Sequence, residues 1–217
     1  MLSHILTGVY ARKMLGQQKT LWSEANRDWL TGLMSRKRFT ERMQHFLDEY
    51  RDDPGLFGMI YIDINDFKLI NDHNGHATGD AVLIELARRL RSACIDLGYD
   101  SPDYMEEPPV ARLSGDEFAL ITCHLNTKEE IYNTAKALSD SLTGTYHWKT
   151  QAIDLGVSIG VFCGRYDRET TETALAKADA AMYFAKRDTS GHGLRMCDAE
   201  VESSYNELFR APINRNA

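Results

Sequence analysis

The sequence contains no long apolar run and comparatively few basic residues, and each absence excludes a class of function. No stretch of about 18 consecutive apolar residues occurs, so we predict no membrane span in this chain. Its 25 lysines and arginines are outnumbered by 32 aspartates and glutamates, which gives a formal net charge of −7. A nucleic-acid-binding domain would carry a basic stripe instead, so we expect no nucleic-acid partner. A nucleotide substrate stays possible, because metal ions can screen its phosphates.

Cysteine is also sparse, and no CxxC pair occurs among the four cysteines, which are Cys94, Cys123, Cys163 and Cys197. Widely spaced, reduced cysteines are typical of a cytosolic protein, and we therefore predict a cytoplasmic location.

The chain of 217 residues is long enough for one domain with a sizeable core and some additional segments. We divide it into a linker helix over 1–27, a domain over 28–198 and a tail over 199–217.

Apolar periodicity predicts alternating helices and strands, which indicates an α/β fold. Helical spacing of apolar residues is found in the segments 35–50, 77–95, 127–142 and 173–186. A near-continuous apolar run over 56–63 predicts a central strand that is buried on both faces. Strict alternation predicts one strand over 153–161, and residues 194–196 are expected to form a last short strand. A turn-rich acidic loop is predicted at 98–109.

The most informative segment is the pentapeptide Ser-Gly-Asp-Glu-Phe at 114–118, which lies between two apolar runs. A Ser-Gly pair in this position predicts a tight hairpin turn, because glycine accepts backbone angles that other residues avoid. Two carboxylates at the tip of the hairpin are costly beside apolar strands unless a cation meets them. Asp63 closes the central strand, and if that strand neighbours the hairpin, Asp63 and Asp116 form an oxygen cage suited to Mg²⁺. The alternative is a solvated hairpin tip without a ligand.

Three further motifs stand in the order and spacing of one protein family: Asp28-Trp-Leu-Thr-Gly-Leu33, Asp63-Ile-Asn-Asp-Phe-Lys68 and Ala178-Asp179-Ala-Ala-Met-Tyr183. Together with the 114–118 signature they resemble the GGDEF family, the diguanylate cyclases, over roughly residues 28–195. The resemblance implies the palm-like fold of nucleotide cyclases. That fold has a central, mostly antiparallel five-stranded sheet, flanking helices and a signature β-hairpin.

The resemblance also implies an activity and a metal site. A diguanylate cyclase condenses two GTP into cyclic di-GMP and releases two pyrophosphates at a homodimeric active site that uses Mg²⁺ or Mn²⁺. Asp63, Asp116 and the carbonyl of Ile64 match the metal ligands of the family. Glu117 is the adjacent acid of the signature, and we assign it a supporting role in metal binding or as a base. Lys68 matches a lysine that faces phosphate in the family. Asp116, Glu117 and Lys68 are therefore the predicted catalytic residues.

Substrate-binding positions follow from the same resemblance. The turn at Asp66 and Phe67 is expected to offer backbone N–H groups to the β- and γ-phosphates, and Lys186 matches a second basic clamp on the triphosphate. Asn71 and Asp80 match the guanine readers, since a carboxylate can accept the two N–H groups on the edge of guanine. The alternatives are a turn-forming Asn71 and an Asp80 that caps a helix in its first turn.

His76 nearby is predicted to pack in its turn as a structural residue rather than to bind metal.

The chain departs from the family pattern in three places. The segment after Lys186 is longer than usual and carries His192 where an Arg is usual, and His cannot copy the bidentate fork of Arg. Arg187 and Arg195 are the two residues that we expect to compensate for the missing arginine. Asn65 replaces an acid found in many relatives. An Arg-x-x-Asp product site is missing at 105–108, where the chain reads Met-Glu-Glu-Pro, so we expect no product inhibition through that site.

Two other functions remain open. The first is a non-catalytic GTP-binding regulatory domain of a larger signalling protein, with a sensory or phosphodiesterase domain in the parent chain. The altered segment after Lys186 favours it, whereas the intact signature favours the enzyme. The second is a polymerase-like palm, which is disfavoured because no basic channel is visible.

Overall fold

The computed structural model describes residues 26–97, 108–188 and 193–209. Most of the predicted linker helix and the acidic loop lie outside these residues, as do Met105 and His192. The strands are β1 Met34–Ser35, β2 Leu56–Ile64, β3 Val110–Ser114, β4 Glu117–Leu125, β5 Gly144–Trp148, β6 Gln151–Leu155, β7 Val157–Arg165 and β8 Leu194–Met196. The helices are α1 Arg36–Glu49, α2 Phe67–Asn74, α3 His76–Asp96, α4 Lys128–Leu142, α5 Thr171–Arg187 and α6 Ala199–Phe209. No helix in the described ranges is both long and apolar enough to cross a membrane.

The central sheet confirms the predicted α/β fold. Within the described residues it has six strands in the order β1-β3-β4-β2-β7-β8, and the three inner pairings are antiparallel. The two outer pairings, β1 with β3 and β7 with β8, are parallel. The prediction of five strands was therefore one strand short. The two-residue strand β1 is too short to produce a periodic signal.

The single strand predicted over 153–161 was wrong, because the chain breaks at Gly156. Residues before the break form β6, which pairs with β5 in a separate two-stranded sheet, and residues after it form β7. The backbone N–H of Asn65 donates to the carbonyl of Gly156 at 2.9 Å, so a distant residue fixes the break. The alternation that suggested one strand continues through the break and conceals it.

Strand β2 separates two apolar layers, as its uniform apolar run predicted. Ile60, Ile62 and Ile64 pack on one side with α3 and α4. Met59 and Tyr61 pack on the other side with α1 and α5. Because successive side chains of a strand face opposite sides, Asp63 follows Tyr61 onto the side of α5.

Close packing of α5 on the sheet depends on Gly160 in β7. A Cβ at this position would overlap the backbone of Ala178 and Met182 in α5. The alternation of small residues in β7 therefore marks contact with a helix rather than a face toward solvent. Helix α5 carries Asp179 and Lys186, so this contact also fixes where those two charges lie.

We expect Gly160→Ala to destabilise the fold by about 1–3 kcal/mol, because the added methyl must push α5 away from the sheet. Gly156→Ala is the matched control, since the nearest atoms to its new Cβ belong to the side chain of Asn65, from 3.0 Å outward, rather than to helix backbone. Urea unfolding of both variants measures the difference. Equal free energies of unfolding for the two variants would contradict the packing role of Gly160.

Candidate active site

Three acidic residues lie close together where β2 ends and β4 begins. Asp63 and Glu117 are Cα partners in the β2–β4 ladder. The backbone N–H of Ile64 donates to the carbonyl of Asp116 at 3.3 Å. The structure thus brings together all four residues predicted to bind metal. We call Asp63, Asp116 and Glu117 the acidic edge.

The hairpin tip is held by Arg112. Gly115 has a φ of +37°, a left-handed conformation that suits glycine. Arg112 donates to the carbonyl of Gly115 at 2.8 Å and forms an ion pair with Asp28 at 3.1 Å. Both partners of this ion pair are largely shielded, with 12% and 17% of their side chains exposed. Asp28 also accepts from the N–H and the hydroxyl of Thr31, so the 28–31 turn supports the signature hairpin.

The closest charge to the acidic edge is Lys186, whose Nζ lies 2.6 Å from Oδ1 of Asp63. Asp63 is only 7% exposed. Burial raises the pKa of its carboxyl, Lys186 opposes this rise, and the negative charges of Asp116 and Glu117 add to it. One ammonium therefore does not neutralise the edge. Lys186 was predicted to contact triphosphate, and here it contacts a predicted metal ligand instead.

Glu117 is also engaged within the protein, because its Oε2 accepts a hydrogen bond from the hydroxyl of Ser114. In the described part of the chain, no three His, Cys, Asp or Glu side chains are already arranged around one point as metal ligands. The donor set nevertheless fits Mg²⁺ or Mn²⁺, since it consists of hard oxygen atoms with more negative charge than Lys186 can balance. The residues fit a divalent cation if Lys186 moves off Asp63.

The predicted guanine readers lie where α2 meets α3. The side chain of Asn71 rests against Gly79, where a Cβ would overlap the Asn71 carboxamide oxygen. Asp80 is the next residue and is exposed. The prediction that it lies in the first helical turn was wrong, because α3 begins at His76 and has Gly75 as its N-cap. Asp80 is the fifth residue of the helix, so the capping alternative fails and its carboxylate is open to solvent.

His76 and the turn at Asp66 and Phe67, which was predicted to bind phosphate, also differ from expectation. His76 is exposed as the first residue of α3 rather than packed in a turn. Asp66 has a φ of 54° and precedes the unpredicted helix α2, whose first residue is Phe67. The first N–H groups of a helix have no partners within it, so this turn can offer them to an anion. Lys68 follows in the same turn and is exposed.

Neither arginine expected to compensate for His192 faces the acidic edge. Arg187 donates to the hydroxyl of Tyr183. Arg195 forms ion pairs with Asp198 and Glu200. Asn65, the other departure, accepts from the hydroxyl of Ser158 at 2.6 Å. Arg187 and Tyr183 are four residues apart, and Arg195 and Asp198 are three apart, so both pairs follow a local spacing that the sequence analysis missed. Asn65 and Ser158 are 93 positions apart, and no local pattern reveals their bond.

The chain matches known proteins over most of its length. The family model described as "Diguanylate cyclase, GGDEF domain" matches residues 25–192. The chain is similar to the diguanylate cyclase TpbB of Pseudomonas aeruginosa, with 29% identity over 180 residues, 82% of this chain and 39% of that protein. It is 27% identical over 204 residues to the bifunctional diguanylate cyclase/cyclic di-GMP phosphodiesterase MucR of the same species, covering 94% of this chain and 28% of MucR. The chain therefore spans well under half the length of these relatives.

A solved structure shows the same architecture. The structure of a truncated TpbB from Pseudomonas aeruginosa that comprises only the GGDEF domain superposes with a TM-score of 0.71. The two chains are 28% identical, and the match covers 83% of this chain and 99% of that one.

The shielded ion pair beneath the hairpin gives a prediction on pH. Burial works against ionised Asp28, but hydrogen bonds from Thr31 and Arg112 outweigh it and lower the pKa of the carboxyl. A carboxyl whose pKa is lowered by folding stabilises the fold above its unfolded pKa of about 3.9 and loses this contribution as the pH falls through the folded value. Asp28→Asn should therefore cost about 1–3 kcal/mol at pH 7 and less at pH 3.

Urea unfolding at the two pH values tests this expectation. Asp140→Asn is the control, because Asp140 forms an exposed ion pair with Lys136 and 70% of its side chain is accessible. The control should show little difference from the unmutated chain at either pH. A cost for Asp28→Asn that does not shrink on acidification would argue against the ion pair.

Proposed function

The chain belongs to the GGDEF family of diguanylate cyclase domains, and we propose on that premise that it condenses two GTP molecules into cyclic di-GMP and two pyrophosphates. The observation that carries the proposal is the acidic edge, where Asp63 and Glu117 lie opposite each other beside Asp116. Phosphoryl transfer depends on positioning and on neutralised charge more than on covalent help from the protein. The acidic edge, Lys68 and Lys186 are the groups that would supply both.

Asp63, Asp116, Glu117 and the carbonyl of Ile64 would hold Mg²⁺ or Mn²⁺. When bound, such a cation neutralises charge on the α-phosphate and lowers the pKa of the attacking 3′-hydroxyl. Asp116 lies at the tip of the hairpin and would accept the proton of that hydroxyl. The cation is proposed from the donor set and from the negative charge of the acidic edge, which Lys186 alone does not balance.

Lys186 would exchange partners during binding. Its ammonium lies on Asp63 in the structure and would pass to the triphosphate, which leaves Asp63 to the cation. A cavity of about 390 Å³ adjoins Lys186 and is also lined by Asn65 and Lys136, so there is room for phosphate groups on that side. Lys68 and the N–H groups at Asp66 and Phe67 would hold the same triphosphate from the start of α2.

Asn71 and Asp80 would read the guanine edge. Gly79 supports this assignment, because its missing Cβ lets the Asn71 carboxamide lie against the residue that directly precedes Asp80. Asp80 would accept from the N1 and N2 donors of guanine, a pair that adenine lacks. A site built to accept these donors rejects a base without them, because its own polar groups are then left unpaired.

Catalysis would require two copies of the chain. One domain would hold one GTP, and each 3′-hydroxyl would attack the GTP of the opposite domain, so we propose a homodimer that works in the cytoplasm. Since the chain spans only 39% of TpbB and 28% of MucR, a sensory or phosphodiesterase domain in the same protein is part of the proposal.

The alternative is a GTP-binding regulatory domain without activity. Two observations favour it: Lys186 is paired with Asp63, and Arg187 and Arg195 are engaged elsewhere. Incubation with GTP and Mg²⁺, followed by chromatography for cyclic di-GMP, separates the two functions. Bound GTP with no product would favour the regulatory domain.

The enzyme proposal predicts that Asp116→Asn and Glu117→Gln each lower cyclic di-GMP formation by at least about a hundredfold, because each removes a charge that holds the cation. Thermal unfolding should show that both variants stay folded, since both residues lie at a hairpin tip. Asp96→Asn, at the opposite end of α3 from the site, is the control and should keep full activity. Near-normal turnover by both acidic-edge variants would refute the metal assignment.

The base-reading assignment predicts that the domain binds GTP at least about tenfold more tightly than ATP, since unpaired polar groups are costly. Asp80→Ala should weaken GTP binding and reduce this preference, and Gly79→Ala should do the same by displacing Asn71. Ile84→Ala is the control, because Ile84 is an exposed residue one turn further along α3. Calorimetry measures all four proteins, and equal binding of the two nucleotides by the unmutated domain would disprove the assignment.

A further inference from the structure

Asn65 lies between two parts of the candidate site and plays no part of its own in the proposed catalysis. The predicted metal ligands Asp63 and Ile64, at the end of β2, precede it. The turn at Asp66 and Phe67 follows it, and we call this segment the phosphate turn. Asp66 has a left-handed φ of 54°, so the chain changes direction directly after Asn65. The place of Asn65 therefore determines how the phosphate turn lies relative to the metal ligands.

Two hydrogen bonds tie Asn65 to the neighbouring strand, one residue beyond the end of the sheet ladder. The ladder of β2 and β7 ends at the pair of Ile64 and Val157. The backbone N–H of Asn65 donates to the carbonyl of Gly156 at 2.9 Å. The side-chain Oδ1 of Asn65 accepts from the hydroxyl of Ser158 at 2.6 Å. The chain is thus held at the point where it leaves the strand.

Ser158 brings this bond next to the acidic edge. It is the Cα partner of Asp63 in β7, and the side chains of such partners lie on the same face of a sheet. Ser158 is only 1% exposed. A buried hydroxyl costs free energy unless it is hydrogen-bonded, and the bond to Asn65 offsets that cost. Asn65, Ser158 and Lys186 also line one cavity of about 390 Å³, so the bond lies on the side from which Lys186 reaches Asp63.

An asparagine suits this position better than an acid on electrostatic grounds. Its carboxamide oxygen accepts a hydroxyl hydrogen as a carboxylate oxygen would, but it carries no full charge. An aspartate here would add another carboxylate beside the acidic edge, where the charges of Asp116 and Glu117 already raise the pKa of Asp63. Asn65 therefore supplies the hydrogen bond without adding to the repulsion.

We propose that Asn65 and Ser158 form a positioning pair, whose hydrogen bond holds the end of β2 and the phosphate turn in the arrangement that binds the cation and the triphosphate of one nucleotide together. The inference rests on the proposed function in one respect, which is that Asp63 and Ile64 hold a cation while the phosphate turn holds phosphate. Asn65 and Ser158 act through the backbone that they hold, and neither side chain needs to touch the cation or the substrate.

The first test measures binding of 3′-deoxy-GTP with Mn²⁺ by calorimetry, because this nucleotide lacks the attacking hydroxyl and cannot react. Ser158→Ala and Asn65→Ala should each weaken binding about tenfold, the size of effect expected when a supporting hydrogen bond is lost. The double variant should bind no more weakly than either single variant, because both changes break the same bond. Unchanged affinity in Ser158→Ala, or losses that add in the double variant, would overturn the proposal.

Thr145→Val is the matched control for this test. It removes a hydroxyl that donates to the carboxylate of Asp154 at 2.8 Å in the separate β5–β6 sheet, so it should bind the nucleotide like the unmutated domain. Thermal unfolding identifies any variant that does not fold. If Asn65→Ala is such a variant, Ser158→Ala decides the question alone, because it removes only a hydroxyl.

The second test needs neither metal nor nucleotide. Hydrogen exchange of the backbone N–H at position 65, followed by NMR, should be about tenfold less protected in Ser158→Ala, because one bond that holds the chain is missing. Asn65→Asp keeps an oxygen acceptor for the Ser158 hydroxyl and should keep the protection, as should Thr145→Val. Unchanged protection in Ser158→Ala, or lost protection in Asn65→Asp, would also overturn the proposal.

The two tests separate this inference from the proposed function. Weaker nucleotide binding and lost protection in Ser158→Ala, in a domain that makes no cyclic di-GMP, would support the positioning pair and reject the cyclase. Cyclic di-GMP formation by a domain in which Ser158→Ala changes neither measurement would keep the cyclase and reject the pair. An unmutated domain that binds no 3′-deoxy-GTP would overturn both.

Discussion

The structure is organised around the crowding of negative charge at one end of the central sheet. Asp63 ends a strand that is buried on both faces, and its partner across the ladder is Glu117. Carboxylates in such a place must be hydrogen-bonded or paired. Lys186 pairs with Asp63, Ser114 donates to Glu117, and Arg112 ties the backbone of the hairpin to the 28–31 turn. These groups come from β3, from α5 and from the 28–31 turn, so segments far apart in the chain hold the acidic edge together.

Two glycines connect the core to this chemistry. Gly160 lets α5 approach the sheet, and α5 then brings Lys186 onto Asp63 and Asp179 close enough for the charges of Glu117 and Asp63 to raise its pKa. Gly79 does the equivalent for α3, because its bare backbone makes room for Asn71. In both places a missing side chain sets the position of a polar group on another element. Each of these glycines therefore determines both how its helix packs and where a polar side chain of the site lies, so a substitution of the glycine would alter both.

The sequence predicted those elements whose signal is local. The apolar run of β2, the Ser-Gly turn and the helical spacing of α1 each report on residues close together in the chain. Prediction from the sequence failed where residues far apart in the chain determine the structure. The break at Gly156 depends on Asn65, and α2 buries no residue completely, so apolar periodicity could not reveal it. Pairing of Lys186 with Asp63 joins residues 123 positions apart, beyond any local pattern.

The position of Lys186 bears on the choice between an enzyme and a regulatory domain. The single positive charge of Lys186 cannot balance both Asp63 and a triphosphate. A cation that arrived alone would have to displace Lys186 from a buried carboxylate. A triphosphate arriving alone brings anionic charge to an edge that is already acidic. If both arrived together, as the proposed function requires, Asp63 would pair with the cation and Lys186 with phosphate. In the proposed cyclase this charge balance would favour joint binding of metal and nucleotide, whereas a domain in which Lys186 stays on Asp63 would match the regulatory alternative.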